Sequence, residues 1–428
     1  MIDLIEYGQE VLIDKESYNE DDRIFLSNLQ YEDIKKGECR YYIRENERGI
    51  YIKPLNYVGT IQLSKKRINI FPRFDHDFRS LLNMILFAKD IKYKDFKQNI
   101  RVTKANNDLY EVIISLLLEE VLNILKGSLF REYVNFNENL KVVRGRIDFA
   151  NYLKKNFLRG DSIYCKYDEL NPNVIENQII LKALSIAAHI TDDLDKKKII
   201  KKYLGIFKEL CDELKGRKVP KINYNRLNSQ YKEAHYYCKL LIECIGTENL
   251  YRVGEHNNRY SLLIDMNELF EMFVTKLFAK YLKSDYDIIP QWEISNAILN
   301  AKDKCYRRIK PDIVLVNKKN KDDYIIIDTK NKAYGNKKVY NEDIYQLSFY
   351  GMYFYNMYNR KANIYIIYPK YENVLEKYDK IFINTIDESL DRPFIAVRSI
   401  DINEYLKLIE KDASVKADLK DKLQGMIS

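Results

Sequence analysis

Short runs rich in β-branched and aromatic residues, separated by polar turns, dominate the first hundred positions of the chain. They predict strands at 40–43, 49–53, 58–63 and 67–71. The pattern then changes to apolar residues at helical spacing, which predicts helices at 109–126, 174–190, 196–215 and 227–244. Between them, a strand-like segment covers 140–149, and turn residues dominate 168–173. We therefore expect a β-rich N-terminal region followed by a mainly helical middle region.

From about position 260 the pattern predicts a mixed α/β unit. A strongly amphipathic helix follows Asp265, which has Glu268 three residues on, the spacing of a capping box. Two apolar strands at 313–316 and 324–330 flank a polar turn and predict an antiparallel hairpin. A helix at 341–358 and a strand at 363–368 come next. With the polar segment 246–258 as a linker, the expected domains are 1–105, 106–255 and 256–428.

Several classes of protein are disfavoured by the sequence. The N-terminus is acidic and lacks the basic and apolar regions of a signal peptide. The longest apolar stretch, 109–125, is interrupted by Glu111, Glu119 and Glu120, which indicates a buried helix and no membrane span. Six Cys without a C-x-x-C pair and four His without ligand spacing argue against disulfides and a zinc site. A cytoplasmic protein is expected.

Positive charge is concentrated in one stretch of the chain. The net charge is +8, and residues 301–340 hold twelve Lys and Arg against five Asp and Glu. A concentrated basic patch is typical of proteins that bind a phosphate backbone, although lysines in the turn after position 316 could simply be solvated. We consider these basic residues as DNA contacts: Arg307, Arg308, Lys310, Lys332, Lys337 and Lys338.

The predicted hairpin brings candidate catalytic residues together. Because side chains alternate along a strand, Asp328 and Lys330 share one face. If Val316 faces Tyr324 across the turn, Asp312 faces Asp328, with Cβ atoms roughly 5 Å apart. Like charges this close repel each other, and a Mg²⁺ ion bound by carboxylate oxygens would remove the conflict. Lys330 could then orient an attacking water or stabilise the transition state. Acids that simply point to solvent fit poorly with Asp328, which ends a run of three Ile.

Two further helices offer candidates for the same site. Glu271 lies at the edge of the apolar stripe of its helix, so we predict it as a third acid and third metal ligand, whereas Glu268 points away. Gln346 and Tyr350 are four residues apart and share one face of the later helix. Gln346 could position DNA or the metal-bound water, or could bond to backbone, and Tyr350 is predicted to contact DNA.

The ordered set of motifs resembles the PD-(D/E)xK nuclease superfamily. The motifs are Glu271, Pro311-Asp312, Asp328-Thr329-Lys330 and Gln346 with Tyr350. More narrowly, DMNELFEMFV, KPDIVLV, IIDTKNK and DIYQLSFYG resemble the McrC family, the nuclease subunits of McrBC modification-dependent restriction systems. So do three segments further upstream: GTIQLSKKRINIFPRF, VVRGRIDF and CKYDELNPNVIENQIILKAL.

The resemblance implies a multidomain α+β chain with a C-terminal restriction-endonuclease-like domain that cleaves double-stranded, modified DNA with Mg²⁺. It also implies a GTP-hydrolysing AAA+ partner, McrB, which the N-terminal portions dock into and stimulate. The sequence contains no G-x-x-x-x-G-K-[ST] loop, in agreement with a separate motor subunit.

Two other functions remain open at this point. A stand-alone exonuclease or repair nuclease would use the same site without a partner or GTP, but it would not need the first 250 residues. A non-catalytic activator of an AAA+ partner would not need Asp312, Asp328 and Lys330 intact.

Overall fold

A computed structural model describes the chain except for residues 37–38, 90–108, 157–160, 217, 245–258, 322, 333, 335–337, 359–361, 372–379, 384–393, 411–415 and 428. The chain groups into two compact units, one made of Met1–Asn107 with Leu263–Ser428 and one of Asp108–Leu262. The predicted linker at 246–258 lies outside the described residues. Of the helices in the described part, none is long and apolar enough to span a bilayer.

The N-terminal segment contains two small sheets and two helices. Its strands are β1 (Ile2–Ile5), β2 (Val11–Asp14), β3 (Tyr41–Asn46), β4 (Gly49–Pro54), β5 (Tyr57–Gln62) and β6 (Arg67–Phe71). The four strands predicted here are confirmed as β3 to β6. The prediction missed helices α1 (Glu20–Lys36) and α2 (Phe78–Ala88). The order β2-β4-β3 forms one sheet, and β1 pairs in parallel with β6, which pairs with β5.

The middle unit is mainly helical but contains a three-stranded sheet. Its elements are α3 (Leu109–Lys126), β7 (Glu132–Leu140), β8 (Arg146–Ile147), α4 (Phe149–Asn156), β9 (Ile163–Asn171), α5 (Ile175–Ile190), α6 (Leu194–Leu210) and α7 (Lys232–Cys244). The four predicted helices are present, although α6 ends five residues early. The turn predicted at 168–173 is wrong, because β9 continues to Asn171 through its pairing with β7.

The C-terminal segment is built around a six-stranded mixed sheet. Its elements are β10 (Tyr260–Asp265), α8 (Met266–Tyr281), β11 (Tyr286–Pro290), β12 (Ile294–Leu299), β13 (Cys305–Ile309), β14 (Ile313–Asn317), β15 (Tyr324–Thr329), α9 (Asn341–Tyr358), β16 (Asn363–Pro369), β17 (Lys380–Phe382), β18 (Phe394–Ile400), α10 (Ile402–Glu410) and α11 (Lys416–Met426). The sheet order is β11-β14-β15-β16-β18-β17. β15, β16 and β18 run parallel, and the other pairs are antiparallel.

Apolar packing explains the central position of β14 and β15. Their residues Ile313–Leu315 and Ile325–Ile327 are buried on both faces, as expected for strands in the middle of a covered sheet. On one face, Leu347 and Phe354 of α9 complete a core cluster with Val314 and Ile326. Apolar burial therefore fixes the position of the hairpin without a contribution from polar groups.

The N-terminal and C-terminal segments pack into the same unit, whereas the sequence suggested separate, consecutive domains. Phe87 of α2 meets Phe273 of α8 with ring centroids 5.4 Å apart. The side-chain amide of Asn403 at α10 donates to the carbonyl of Phe74 at 3.0 Å. The structure thus establishes a mixed α/β chain in which a discontinuous unit carries the candidate site.

Gly49 offers a test of the N-terminal sheet. Its φ of +150° is unfavourable for other residues, and an added Cβ would collide with the carbonyl oxygen of Ile13. We expect Gly49→Ala to lower the free energy of unfolding by more than about 1 kcal/mol. Gly425→Ala in α11 is the matched control, because its Cβ would meet no atom within 4 Å. Equal unfolding midpoints of the two variants in denaturant would contradict this packing.

Candidate active site

The register of the β14–β15 hairpin is the one predicted from the sequence. Val316 pairs with Tyr324, and the pairing continues without a bulge to Ile313 and Ile327. Asp312 directly precedes this pair on one strand, and Asp328 directly follows it on the other. The two carboxylates therefore leave the same end of the hairpin.

Asp312 is held in place by the residue that separates Asp328 from Lys330. The backbone N–H of Thr329 donates to Asp312 Oδ2 at 2.8 Å, and the Thr329 hydroxyl donates to the same oxygen at 2.9 Å. The sequence motif contains this threonine, but nothing in the sequence indicated its role. Thr329 orients one carboxylate of the pair and leaves the other oxygen, Oδ1, available.

Asp328 is fully buried and has a single close cationic neighbour. Lys330 Nζ lies 2.7 Å from Asp328 Oδ2, with 19% of the lysine side chain exposed. The other oxygen of Asp328, Oδ1, is buried and has no hydrogen-bond partner. A buried carboxylate oxygen without a partner is costly, so its presence suggests a ligand that the protein chain itself does not supply.

The electrostatics of the pair favour protonation in the absence of a cation. Burial raises the pKa of Asp328, and the charge of Asp312 raises it further, while Lys330 opposes both. Burial also raises the pKa of Asp312, against the hydrogen bonds from Thr329. The pKa of Lys330 is raised, because the surrounding carboxylates outweigh the effect of its own burial. The lysine therefore stays charged beside an acid pair that carries excess negative charge.

These features fit a hard divalent cation. Mg²⁺ prefers oxygen ligands and commonly uses one or two carboxylates, with waters or substrate phosphate completing its coordination. Asp312 Oδ1 and Asp328 Oδ1 are the oxygens that could hold it. Within the described ranges, no group of three or more His, Cys, Asp or Glu side chains could hold a metal ion. The prediction of Glu271 as a third ligand is therefore not supported by the geometry.

Glu271 is instead engaged by a glutamine that the sequence analysis did not consider. The side chain of Gln291 donates to Glu271 Oε1, and the Gln291 backbone N–H donates to the carbonyl of Asp312 at 2.8 Å. Gln291 has a φ of +51°, a conformation that costs energy in a residue other than glycine. Burial raises the pKa of Glu271, and the charge of Asp312 adds to this. Glu271 thus belongs to the neighbourhood of Asp312.

Two residues of α9 surround the ammonium group of Lys330. Lys330 Nζ donates to Gln346 Oε1 at 3.4 Å, and Gln346 Nε2 donates to the hydroxyl of Tyr350 at 2.8 Å. Asp343 Oδ1 lies 3.7 Å from Lys330 Nζ. Gln346 is therefore brought to the site, bonded to the lysine and not to backbone. Asp343 was missed, because an acid in the first turn of a helix is ordinarily explained by the helix dipole.

Two predicted DNA contacts have other roles. Tyr350 is 5% exposed and packs in the core beneath α9, so its ring supports the helix and is not available to a phosphate backbone. Lys332 Nζ lies 2.8 Å from Asp343 Oδ2 and 4.8 Å from the ring centroid of Tyr340. Its charge is largely compensated inside the protein.

The remaining basic residues predicted to contact DNA differ in exposure and in whether their charge is paired. Arg307, Lys310 and Lys338 are exposed, and the charge of Lys310 lowers the pKa of Asp312, which places Lys310 near the site. Arg308 is exposed but pairs with Glu293 at 2.6 Å. Lys337 lies outside the described residues. Arg307 on the β12–β13 hairpin is thus an exposed arginine of the patch whose positive charge is not paired in the contacts described.

The chain matches a known protein family, and its fold is similar to that of solved structures. A family model described as McrBC 5-methylcytosine restriction system component matches residues 52–369. No curated protein shows a significant match. Solved structures with a similar fold include two from Thermococcus gammatolerans. Their sequence identities to this chain are low, so the similarity shows the fold alone.

The first similar chain is in a refined half-complex from a tetradecameric assembly of McrB AAA+ hexamers with bound McrC. It has a TM-score of 0.69 and 17% identity over 100% of both chains. The second is in the cryo-EM structure of the McrBC complex, with a TM-score of 0.52 and 20% identity over 66% of this chain and 88% of that chain.

The family model spans well over half of the chain and includes the acid pair, the lysine and the α9 residues around it. The chain therefore belongs to the McrBC 5-methylcytosine restriction system component family.

Proposed function

We propose that this chain is an McrC-type nuclease subunit that hydrolyses phosphodiester bonds of double-stranded DNA. The proposal depends on one observation: the paired carboxylates of half-buried Asp312 and fully buried Asp328, with an oxygen of Asp328 left without a partner beside the charged Lys330. A structural hairpin has no need for this arrangement, because like charges at opposed positions destabilise a sheet.

Asp312 and Asp328 would hold a Mg²⁺ ion, which supplies a bound water of lowered pKa and offsets the charge that develops on phosphorus. Lys330 donates hydrogen bonds to an oxygen of the attacked phosphate or of the water. Gln346 accepts from Lys330 and limits the directions in which the ammonium can point. The hydrogen bonds from Thr329 keep the Asp312 carboxylate oriented toward the proposed metal position.

The partner in this proposal is a GTP-hydrolysing AAA+ subunit of the McrB type. Membership of the McrBC family and similarity to a chain from an assembly of McrB hexamers with bound McrC support this. The partner would select the DNA and read any base mark, and this chain would cut the DNA.

The central experiment combines the purified chain, Mg²⁺ and a methylated or unmethylated plasmid, with and without the AAA+ subunit and GTP. We expect cleavage only in the complete mixture, and a loss of at least about 100-fold in Asp328→Ala, because a ligand of the proposed metal ion is removed. Asp323→Ala, at the opposite end of the hairpin, is the matched control and should cut normally.

Other outcomes would favour different functions. Cleavage by the chain alone would identify a stand-alone nuclease. If nothing is cut while wild type and Asp328→Ala stimulate the partner's hydrolysis equally, the chain is a non-catalytic activator.

The acid pair should make the metal-free protein sensitive to pH. A carboxyl whose pKa is raised by folding binds more protons in the native state than in the unfolded state. Stability is therefore lost as the pH rises from the ordinary pKa of 3.8 through the raised pKa of the folded protein. We expect the unfolding temperature without divalent ions to fall between about pH 4 and about pH 7, and Mg²⁺ to restore it.

Substitution of the buried acid tests the origin of this effect. Asp328→Asn should stabilise the metal-free protein at high pH by about 1–3 kcal/mol, because it removes a buried charge near Asp312. It should also abolish the stabilisation by Mg²⁺. An unchanged pH dependence in Asp328→Asn, with Asp323→Asn as control, would show that the pair is not under electrostatic strain.

DNA binding can be tested separately from cleavage, in Ca²⁺ instead of Mg²⁺. Arg307→Ala should weaken binding and reduce the slope of log affinity against log salt by about 1, as expected for the loss of one phosphate contact. Lys318→Ala is the control, because Lys318 is also exposed but lies at the far end of β14. Identical salt slopes for all three proteins would remove Arg307 from the DNA interface.

A further inference from the structure

A buried polar cluster lies where strand ends from two different sheets meet. Glu6 follows β1, and Arg73 lies two residues after β6. Because β1 and β6 are parallel, with Ile5 opposite Phe71, both residues leave the N-terminal sheet at the same edge. The backbone N–H of Glu6 donates to the carbonyl of Phe71 at 3.0 Å, which extends the pairing to this edge.

The other half of the cluster comes from the sheet that carries the candidate active site. β15 and β16 are parallel, and Thr329 pairs with Ile367. The backbone N–H of Lys330 donates to the carbonyl of Ile367 at 2.9 Å. Asn331 therefore emerges directly after the catalytic lysine, and Tyr371 emerges two residues after β16.

Hydrogen bonds occupy every polar group of Asn331 that faces this cluster. Arg73 Nη2 donates to the Asn331 carbonyl at 3.1 Å and to the Tyr371 hydroxyl at 3.0 Å. That hydroxyl donates to Asn331 Oδ1 at 2.8 Å, and Asn331 Nδ2 donates to Glu6 Oε2 at 3.1 Å. Asn331 is 2% exposed and Glu6 is fully buried. The strand end after Lys330 is thus held from three directions.

Arg73 is itself fixed on both faces of its guanidinium group. The guanidinium carbon lies 4.7 Å from the ring centroid of Tyr7 and 4.2 Å from that of Tyr371. Its Nε lies 3.6 Å from Glu6 Oε1, and Glu6 also accepts the backbone N–H of Arg73 at 3.1 Å. A planar, always charged side chain suits such a slot, and a lysine could not reproduce its fork of donors.

Stability alone is a weak reason for this arrangement. Burial raises the pKa of Glu6, although Arg73 opposes the shift, so the burial of this carboxyl group is costly. Buried ion pairs often contribute no more to stability than well-packed apolar residues of similar volume. What the cluster does provide, and apolar packing would not, is directional control of the Asn331 backbone.

We propose that Arg73 is a positioning residue for the candidate active site, holding Asn331 so that Lys330 stays against Asp328. The inference rests on the proposed nuclease function. It makes the N-terminal sheet a structural part of the nuclease site, since Glu6 and Arg73 both contact Asn331. Small displacements of a reacting group are expensive, and about 1 Å can cost on the order of 100-fold in rate.

The main test is Arg73→Lys, which keeps the charge beside Glu6 but loses the fork. In the complete reaction with partner, GTP and Mg²⁺, we expect the single-turnover cleavage rate to fall by about 10- to 100-fold. DNA affinity in Ca²⁺ and stimulation of the partner's hydrolysis should stay within about twofold, because DNA binding depends on many phosphate contacts and the hydrolysis takes place in another chain. Arg79→Lys, on the exposed face of α2, is the matched control.

A second variant guards against misfolding of the first. Tyr371→Phe leaves the Glu6–Arg73 pair and the aromatic stack intact and removes only the hydroxyl between Arg73 and Asn331. Loss of that hydrogen bond should slow cleavage by about 3- to 10-fold without a change in DNA affinity.

A measurement that does not need cleavage separates this inference from the proposed function. The rate at which an amine-reactive acetylating reagent modifies Lys330, followed by peptide mass spectrometry, should rise at least about threefold in Arg73→Lys and not in Arg79→Lys. If the wild type cuts no DNA, the nuclease proposal fails, and this rate still decides whether Arg73 positions Lys330. Unchanged Lys330 reactivity and cleavage in folded Arg73→Lys and Tyr371→Phe would overturn the inference. So would losses of cleavage matched by equal losses of DNA affinity.

Discussion

The close approach of the carboxylates of half-buried Asp312 and fully buried Asp328 is the constraint on which the rest of this site depends. The two residues meet because of the hairpin register; burial raises both pKa values, and the charge of Asp312 raises that of Asp328 further. The neighbouring groups offset the repulsion between the two carboxylates. Thr329 donates two hydrogen bonds to one acid, Lys330 places an ammonium beside the other, and α9 restrains the lysine through Gln346.

The energy that maintains this conflict comes from apolar packing. The isoleucines of β15 and the facing residues of β14 are buried on both faces, so the hairpin cannot slip or open without exposing a large hydrophobic surface. Apolar packing also allows backbone strain beside the hairpin, where Gln291 has a positive φ. In our proposal a metal ion relieves the repulsion, and the site is least stable when the ion is absent.

The candidate active site and the N-terminal sheet are not independent. The chain belongs to a family of restriction system components, and in our proposal the partner selects DNA and this chain cuts it. The buried cluster of Glu6, Arg73 and Asn331 adds a physical reason for the long N-terminal segment. Its residues complete the support of the strand that carries Lys330.

The pattern of apolar and polar residues along the chain determined most of the helices and strands, and it determined the pairing of the two acids. Alternation along two strands and the length of one turn were enough to place Asp312 opposite Asp328, because strand periodicity and hairpin register are short-range properties. Helical periodicity located α9 and placed Gln346 and Tyr350 on one face of it, whereas the contact of Gln346 with Lys330 is a finding of the structure. Helix α1 was missed because its apolar residues show almost no helical periodicity, whereas α2 has a clear apolar face and could have been recognised. Only the tertiary structure decided the roles of Gln291, Asp343 and Arg73, since each acts through partners distant in sequence. Burial likewise turned Tyr350 from a DNA contact into a core residue, because exposure depends on which elements pack together.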